Sequence, residues 1–481
     1  MAIAPFVGRD KELQDLRLLF RKKSASLVVV QGRRRVGKSR LVMEFGKDYR
    51  YYAFSGLPPV KGATAQKQRD EFARQMGEAF GLQGIRFDDW TTLFTYLAKQ
   101  VYQGKVVLLF DEISWMGSKD SDFLGKIKNA WDLHFKQNAE LVLILCGSIS
   151  SWIEKNILSS TGFLGRISLV IYLQELSLKE SSTLLLSMGR QSSAYEQLKI
   201  LCLTGGIPRY LEEVQTSMPA EENIRRLCFR KNGILYREFD DVFSDLFSKR
   251  SIFYRDIVNL LVNGSLEFNA IVKALKMSNS GHISGYLDDL IKSGFVCRDY
   301  TWHIKDAKES SLSKYRLSDN YVRFYLKYVF PNKNKIAGGH FEDKALASLP
   351  GWDTIMGLQF ENLVLNNRYL IKEKLHLSQD IVIADNAFFQ RKTLKAPGCQ
   401  IDYLIQTKFN TLFVCEVKFY KKPIGLEIIK EMEEKLRSLT VPRGFSKFPV
   451  LIHVNGVQDS VVESGYFSEI IDFTEFLSLP E

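Results

Sequence analysis

The chain has 481 residues, 45% hydrophobic and 25% charged, with a formal net charge of +11 from 66 basic and 55 acidic side chains. That length is more than one hydrophobic core usually serves and predicts about three or four domains, and the composition excludes global disorder. The basic excess favours polyanionic partners such as nucleic acid or an anionic membrane surface, although a soluble protein that is merely basic has the same balance.

The opening "MAIAPFVGRDKEL" lacks a basic stretch followed by an apolar core, so no signal peptide is expected. The apolar runs "KVVLLF" and "LVLILCG" are too short to span a bilayer, so the expected compartment is the cytoplasm, with no membrane partner. Cys146, Cys202, Cys228, Cys297, Cys399 and Cys415 are scattered and none lies in a CxxC pair. Neither a structural zinc site nor a disulfide framework is expected from them.

In chain order, the first strong signal is "SASLVVVQGRRRVGKSRLVMEF". Leu27 to Val30 reads as a buried strand, and a helix with Leu41, Val42 and Phe45 on its apolar face follows. Between them Gly32-x-x-x-x-Gly37-Lys38-Ser39 fits the Walker A pattern. Its glycines let backbone N–H groups turn inward around phosphates, the helix N-terminus adds positive potential, Lys38 reaches the β/γ-phosphates and Ser39 ligates Mg²⁺. The nucleotide-binding set is therefore Gly32, Arg33, Arg34, Arg35, Val36, Gly37, Lys38, Ser39 and Arg40. Only the backbone of the three arginines must face phosphate, so their side chains are expected in solvent. A second strand, Val106 to Phe110, ends in Asp111-Glu112, at the strand end where α/β folds bind ligands. Asp111 is expected to hold Mg²⁺ through water and Glu112 to polarise the attacking water. A third strand, Leu141 to Cys146, ends in Gly147-Ser148. Ser148 is either a reporter on the γ-phosphate or a cap for the helix in "SSWIEKNIL".

"FVGRDKEL", "GRRRVGKS", "LLFDEISWM", "LILCGSISSWI", "GFLGRISLVIYLQEL" and "LTGGIPRYL" occur in this order. The ordered set resembles the archaeal-type P-loop ATPases, a branch related to AAA+ and STAND ATPases, through about residue 240. The resemblance implies that Arg166 is a γ-phosphate sensor or an arginine finger, in cis or in trans. It also implies that Gly206-Ile207-Pro208 lies in a helical lid, with Pro208 facing the nucleotide.

Beyond the lid, three helices can be read in "SIFYRDIVNLLVNGSLEFNAIVKALKMSNSGHISGYLDDLIKSGFVCRDY", with "GFVCRDY" and "TWHI" as a wing. Ile283, Leu287, Leu290 and Ile291 form one apolar stripe on the third helix. The segment looks like a winged helix-turn-helix, placed as in the same family. Ser278, Asn279, Ser280, His282, Ser284 and Tyr286 would face a DNA groove, but Asp288 and Asp289 share that helix and only Lys292 offsets them. A DNA-contacting module and a docking module both fit. "YRLSDNYVRFYLKYVFP" predicts an aromatic-rich helix whose rings serve a core, and "PNKNKIAGGH", residues 331–340, predicts a linker.

The last signal is "QIDYLIQTKFNTLFVCEVKF". With a three-residue turn Lys408-Phe409-Asn410, Asp402 stands across from Glu416, and Lys418 shares the face of Glu416. Like charges directly opposite destabilise a sheet, and a divalent cation bridging both carboxylates would compensate. Asp followed by Glu-x-Lys at a strand end resembles the PD-(D/E)XK nuclease superfamily, with Ile401 where that motif often carries proline. The resemblance implies that Asp402 and Glu416 bind Mg²⁺ or Mn²⁺, that Lys418 orients the hydrolytic water, and that Glu361 in "GLQFENLVLNNRYL" completes the site. The same archaeal-type ATPases carry similar elements in a C-terminal domain of unknown function. An active nuclease, a retained fold without cleavage and a chance hairpin all remain open.

The resulting expectation is an α/β chain: a P-loop NTPase with parallel sheet over 1–175, a helical lid over 176–245, a winged helix-turn-helix over 246–305, a helical connector and linker over 306–345, and an α/β restriction-endonuclease-like domain over 346–481. The expected cofactors are ATP and Mg²⁺, with Mn²⁺ at the second site. The expected partner is DNA, with a homo-oligomer possible. Either an ATP-driven enzyme acting on DNA or a nucleotide-dependent switch, whose C-terminal domain binds without cleaving, satisfies these residues.

Overall fold

The computed structural model of the chain describes residues 5–58, 62–148, 151–189, 192–247, 251–276, 280–394 and 397–477. Two compact units divide it, Phe6–Leu176 and Ser177–Glu481.

The first unit is built on strands β1 (Ser26–Gly32), β2 (Arg50–Ser55), β3 (Val106–Asp111), β4 (Leu141–Ser148) and β5 (Ile167–Leu173). They pair in parallel in the order β2-β3-β4-β1-β5. A parallel sheet is covered on both faces, so its inner strands read as unbroken apolar runs; β1 and β4 are buried along their whole length. One face is packed by an aromatic cluster in which Phe54, Phe72, Trp90, Phe94 and Phe110 stack edge to face or offset. Parallel pairing also collects every strand's carboxyl end on one edge, where Gly32, Asp111 and Ser148 finish their strands.

In the second unit, five helices between Leu178 and Phe247 lead into the helix Ser251–Leu260. Strand β6 (Leu266–Glu267), helices Phe268–Leu275 and Ser280–Lys292, and strands β7 (Val296–His303) and β8 (Lys308–Leu317) follow. The three strands form a small sheet in the order β6-β8-β7. Ile283, Leu287 and Leu290 are fully buried beneath the helix Ser280–Lys292, as their spacing predicts, while His282 and Ser284 are exposed. Ser278 and Asn279 lie outside the described residues.

The helix Trp352–Asn366 precedes a mixed sheet of β9 (Val382–Gln390), β10 (Cys399–Thr407), β11 (Thr411–Lys418), β12 (Ser446–His453) and β13 (Glu469–Asp472). Its order is β13-β12-β11-β10-β9; β9, β10 and β11 run antiparallel, and β11, β12 and β13 run parallel. The helix Glu427–Ser438 makes the crossover between β11 and β12 that parallel pairing requires.

Shared packing joins the segments of this unit. Trp302 of β7 sits in the apolar core of the mixed sheet, 5.2 Å from the Phe388 ring, and donates to Gln406 at 2.6 Å. The Leu178 N–H donates to Asn367 at 3.0 Å, and the Ser182 hydroxyl donates to the Leu477 carbonyl at 2.7 Å. Tyr321, Phe324, Tyr325 and Tyr328 are buried, so that aromatic run is core. Residues 331–340 differ from the expected linker. They contain the helix Lys333–Ala337, anchored by buried Ile336 and by an ion pair of Lys333 with Asp240 at 2.6 Å. One apolar side chain in a polar stretch is enough to dock a single helical turn. No helix among the described residues is long and apolar enough to cross a membrane.

Candidate functional site

The loop after β1 carries the Walker residues into the helix Lys38–Gly46. Gly37 has φ 93°, a conformation that strains any side chain, and Arg35 also sits in the left-handed region at φ 70°. A Cβ on Gly32 would lie 2.5 Å from the Leu173 carbonyl oxygen, so only glycine lets β5 approach here. Lys38 is buried, and its ammonium donates to the carbonyls of Gly32 and Arg33, both at 3.1 Å. The Ser39 hydroxyl donates to Asp111 Oδ2 at 2.6 Å. Residues 72 apart in sequence thus meet, and this hydroxyl and carboxylate are the groups that would hold a Mg²⁺ arriving with the nucleotide. Asp111 Oδ1 accepts the N–H of Glu112, which holds φ 50° as it turns the chain from β3 into the helix Ile113–Met116. A left-handed glutamate stores strain of about 1–3 kcal/mol, characteristic of functional positions.

β4 lies between β3 and β1, and Ser148 pairs in register with Gly32. Its hydroxyl is buried and has no hydrogen-bond partner among the described residues. Ser148 is the last residue of the strand. The orphaned donor stands beside the phosphate loop.

The loop arginines are not uniformly solvated. Arg33 is buried and pairs with Glu175 at 3.2 Å. The sequence reading also missed Arg9, whose guanidinium donates to the Val36 carbonyl at 3.3 Å and the Gln174 carbonyl at 2.6 Å. Arg9 thereby ties the phosphate loop to the segment after β5; its only sequence signal was its place in "FVGRDKEL". Arg34 and Arg40 are half-buried on the same loop and helix start.

Arg166 departs from one of its two expected roles. It immediately precedes β5, whose first residue pairs with Leu27 near the start of β1. About five residues of strand, roughly 16 Å, separate that end from the phosphate loop. A sensor within the same chain does not fit this position. Here Arg166 clasps Asp132 through two nitrogens, at 3.0 and 2.8 Å, and the guanidinium holds that carboxyl well below the usual range. Pro208 opens the short helix Pro208–Leu211 in the second unit, with Ile207 and Tyr210 buried beside it.

The second candidate site lies on β10 and β11. The turn Lys408-Phe409-Asn410 has Asn410 at φ 56°, and Tyr403 pairs with Cys415 and Gln406 with Leu412. This is the expected register, and it sets Asp402 opposite Glu416. The chain also supplies compensating cations of its own. Lys435, on the helix Glu427–Ser438, reaches Glu416 Oε2 directly and Asp402 Oδ1 at 3.5 Å. Lys418 pairs with Glu416 Oε1 at 3.0 Å and with Glu431 at 2.8 Å, and Asp402 Oδ2 accepts the Val417 N–H at 3.0 Å. Glu431 and Lys435 are one helical turn apart, on a helix whose Ile428 and Met432 enter the core. The hairpin alone carried no trace of this helix.

Glu361 faces Asp402 across a cavity of about 260 Å³ also lined by Lys314, Arg316, Arg323 and Gln400. Burial, with the Asp402 charge behind it, pushes the Glu361 carboxyl up to about 8. Burial and Asp402 also raise Glu416, and for Lys435 the two acids outweigh burial and lift its pKa. Gln359 and Asn362, on the same helix as Glu361, exchange hydrogen bonds with Asn320 at 2.6–3.1 Å. Carboxylates are the right donor chemistry for Mg²⁺ or Mn²⁺. Yet among the described residues no three His, Cys, Asp or Glu side chains converge to hold a metal, and Lys435 takes the space between the pair.

Residues 6–214 match a family model described as an ATPase domain predominantly from Archaea. The chain is 24% identical over 361 residues, 74% of its length, to the uncharacterized protein MJECL04 of Methanocaldococcus jannaschii, covering 76% of that protein. Among solved structures it is similar to the Walker-type ATPase PABY2304 of Pyrococcus abyssi, at 18% identity and TM-score 0.49, covering 67% of this chain and 96% of that one. It is also similar to the Aeropyrum pernix ORC2 protein, at 14% identity and TM-score 0.43, covering 70% and 96% respectively. Residues 6–214 are thus similar to an archaeal-type ATPase domain, and the five-stranded parallel sheet with its glycine loop matches a P-loop NTPase fold.

Proposed function

We propose that this chain is an ATP-hydrolysing protein that acts on DNA, with residues 6–176 as the nucleotide engine and the unit from Ser177 as the part that meets the nucleic acid. The observation that carries the engine is the Ser39–Asp111 contact beside buried Lys38. Mg²⁺ would supply charge neutralisation on the β/γ-phosphates. Lys38 and the loop N–H groups orient the nucleotide, Glu112 accepts the proton of the attacking water, and the Ser148 hydroxyl donates to the γ-phosphate. The net charge of +11, and a reading of the small β6-β8-β7 sheet with its helices as a winged helix, support DNA as the partner.

Arg166 fits an arginine finger supplied to a neighbouring copy, which makes the working form a homo-oligomer. Arg166→Ala is expected to keep ATP affinity and lose about tenfold or more in turnover. Mixing it with Lys38→Ala should restore activity, because each variant supplies what the other lacks. Turnover per chain that is independent of concentration, together with no complementation, would remove the trans role.

For the C-terminal sheet, metal-dependent phosphodiester hydrolysis at Asp402, Glu416, Lys418 and Glu361 is one reading. A nucleotide-dependent switch whose C-terminal domain binds DNA or protein without cleaving is the other. The engagement of all four Asp402 and Glu416 oxygens favours the second. Wild type and Glu416→Ala are accordingly expected to leave plasmid DNA equally intact with ATP and Mg²⁺ or Mn²⁺. Cleavage by wild type alone would reinstate the nuclease.

A further inference from the structure

The Asp402–Glu416 pair is electrically closed. Two carboxylates face two ammonium groups, those of Lys418 and Lys435, and every carboxylate oxygen has a cationic or N–H partner. Glu361, the third carboxyl nearby, has no hydrogen bond or ion pair among the described residues and looks across the cavity at Asp402. A divalent ion added while both lysines stay would sit beside the two ammonium groups that already hold the pair, in a partly buried site, which is unfavourable.

The four charged groups differ in their freedom to leave. The Glu416 side chain is 2% exposed and fixed in the sheet, and Asp402 is tied to the Val417 N–H. Lys418 is held by a second acid, Glu431, and is 17% exposed. Lys435 is 28% exposed, the most of the four, and its ammonium ends a flexible four-carbon stem. It bridges the same two carboxylates that a divalent ion would bridge. Turning outward would rehydrate it, which no other member of the set can do at comparable cost.

We infer that Lys435 is the resident cation of a latent divalent-ion site: its ammonium takes the place between Asp402 and Glu416 that Mg²⁺ or Mn²⁺ would take, and a metal enters only when Lys435 leaves. The inference deepens the metal-site part of the proposed function and requires no cleavage. A partner that drew Lys435 away, such as a DNA phosphate, would open the site, and the resting chain would stay metal-free.

Mn²⁺ binding to the nucleotide-free full chain, followed by electron paramagnetic resonance, tests this assignment. The samples are wild type, Lys435→Met, Lys435→Arg, and wild type and Lys435→Met each carrying Glu416→Ala. Lys435→Met is expected to gain a Glu416-dependent Mn²⁺ site about tenfold or more tighter than any in wild type, and Lys435→Arg to stay like wild type. Equal Glu416-dependent binding in wild type and Lys435→Met, or none in a folded Lys435→Met, overturns the assignment. If Lys435→Met is unfolded in chelator, refolding on Mn²⁺ addition supports it and failure to refold overturns it. Plasmid cleavage read on the same samples separates the two claims: Mn²⁺ bound without cleavage ends the nuclease reading and leaves the role of Lys435 intact.

Discussion

Lys38→Ala is expected to weaken ATP binding by at least about a hundredfold in titration calorimetry. The Lys38 ammonium is buried and holds the Gly32 and Arg33 carbonyls, so it is already placed beside the phosphates with little side-chain entropy left to lose. Charge-assisted hydrogen bonds contribute about 1.5–3 kcal/mol each, so losing two from Lys38 to the β/γ-phosphates would remove about 3–6 kcal/mol, against about 2.7 kcal/mol for a hundredfold change. The substitution also leaves two loop carbonyls without their donor. A melting scan without nucleotide therefore separates loss of the loop from loss of the ligand. Micromolar affinity retained in a folded variant would show that nucleotide is not bound at Gly32–Ser39.

Glu112→Gln should behave in the opposite way, keeping ATP affinity within about threefold while turnover falls by about 10²- to 10⁴-fold, the usual contribution of a general base. The amide is isosteric, and Asp111, which pairs with Ser39, is untouched. The reason to place the base here is the backbone: φ 50° at the end of β3 is an unfavourable conformation that turns this residue off the strand at the edge where the phosphate loop lies. Single-turnover measurements at saturating ATP isolate the chemical step. A loss of less than about fivefold would assign proton transfer elsewhere.

The two candidate sites were unequally legible in the sequence. At the first, strand, loop and helix follow one another within some twenty residues, so Gly32, Gly37, Lys38 and Ser39 could be named from spacing alone. The hairpin allowed two registers, a three-residue turn setting Asp402 opposite Glu416 and a two-residue turn setting it opposite Cys415, and the structure has the first. What occupies the space between those acids could not be named. Lys435 reaches Asp402 from 33 residues away, on a helix whose charged face looks like any solvated surface. Arg33 met the same limit: in a run of three arginines nothing marks the one that pairs with Glu175, 142 positions later.

Arg166 shows a further limit. Motif order assigned it to the nucleotide, but motif order carries no information about which end of a strand a residue occupies. The parallel register of β5 with β1 puts it at the far end.

By itself, the sequence determined what is local: the buried strands, the glycine-permitted phosphate loop and the carboxylates ending β3. These follow from periodicity and backbone sterics acting over a few residues. Tertiary structure alone decided which charges neutralise one another, which end of the sheet Arg166 occupies, and that segments after Leu176 share packing with the mixed sheet. Those outcomes depend on long-range burial, where a charge removed from water must find a partner wherever the fold supplies one.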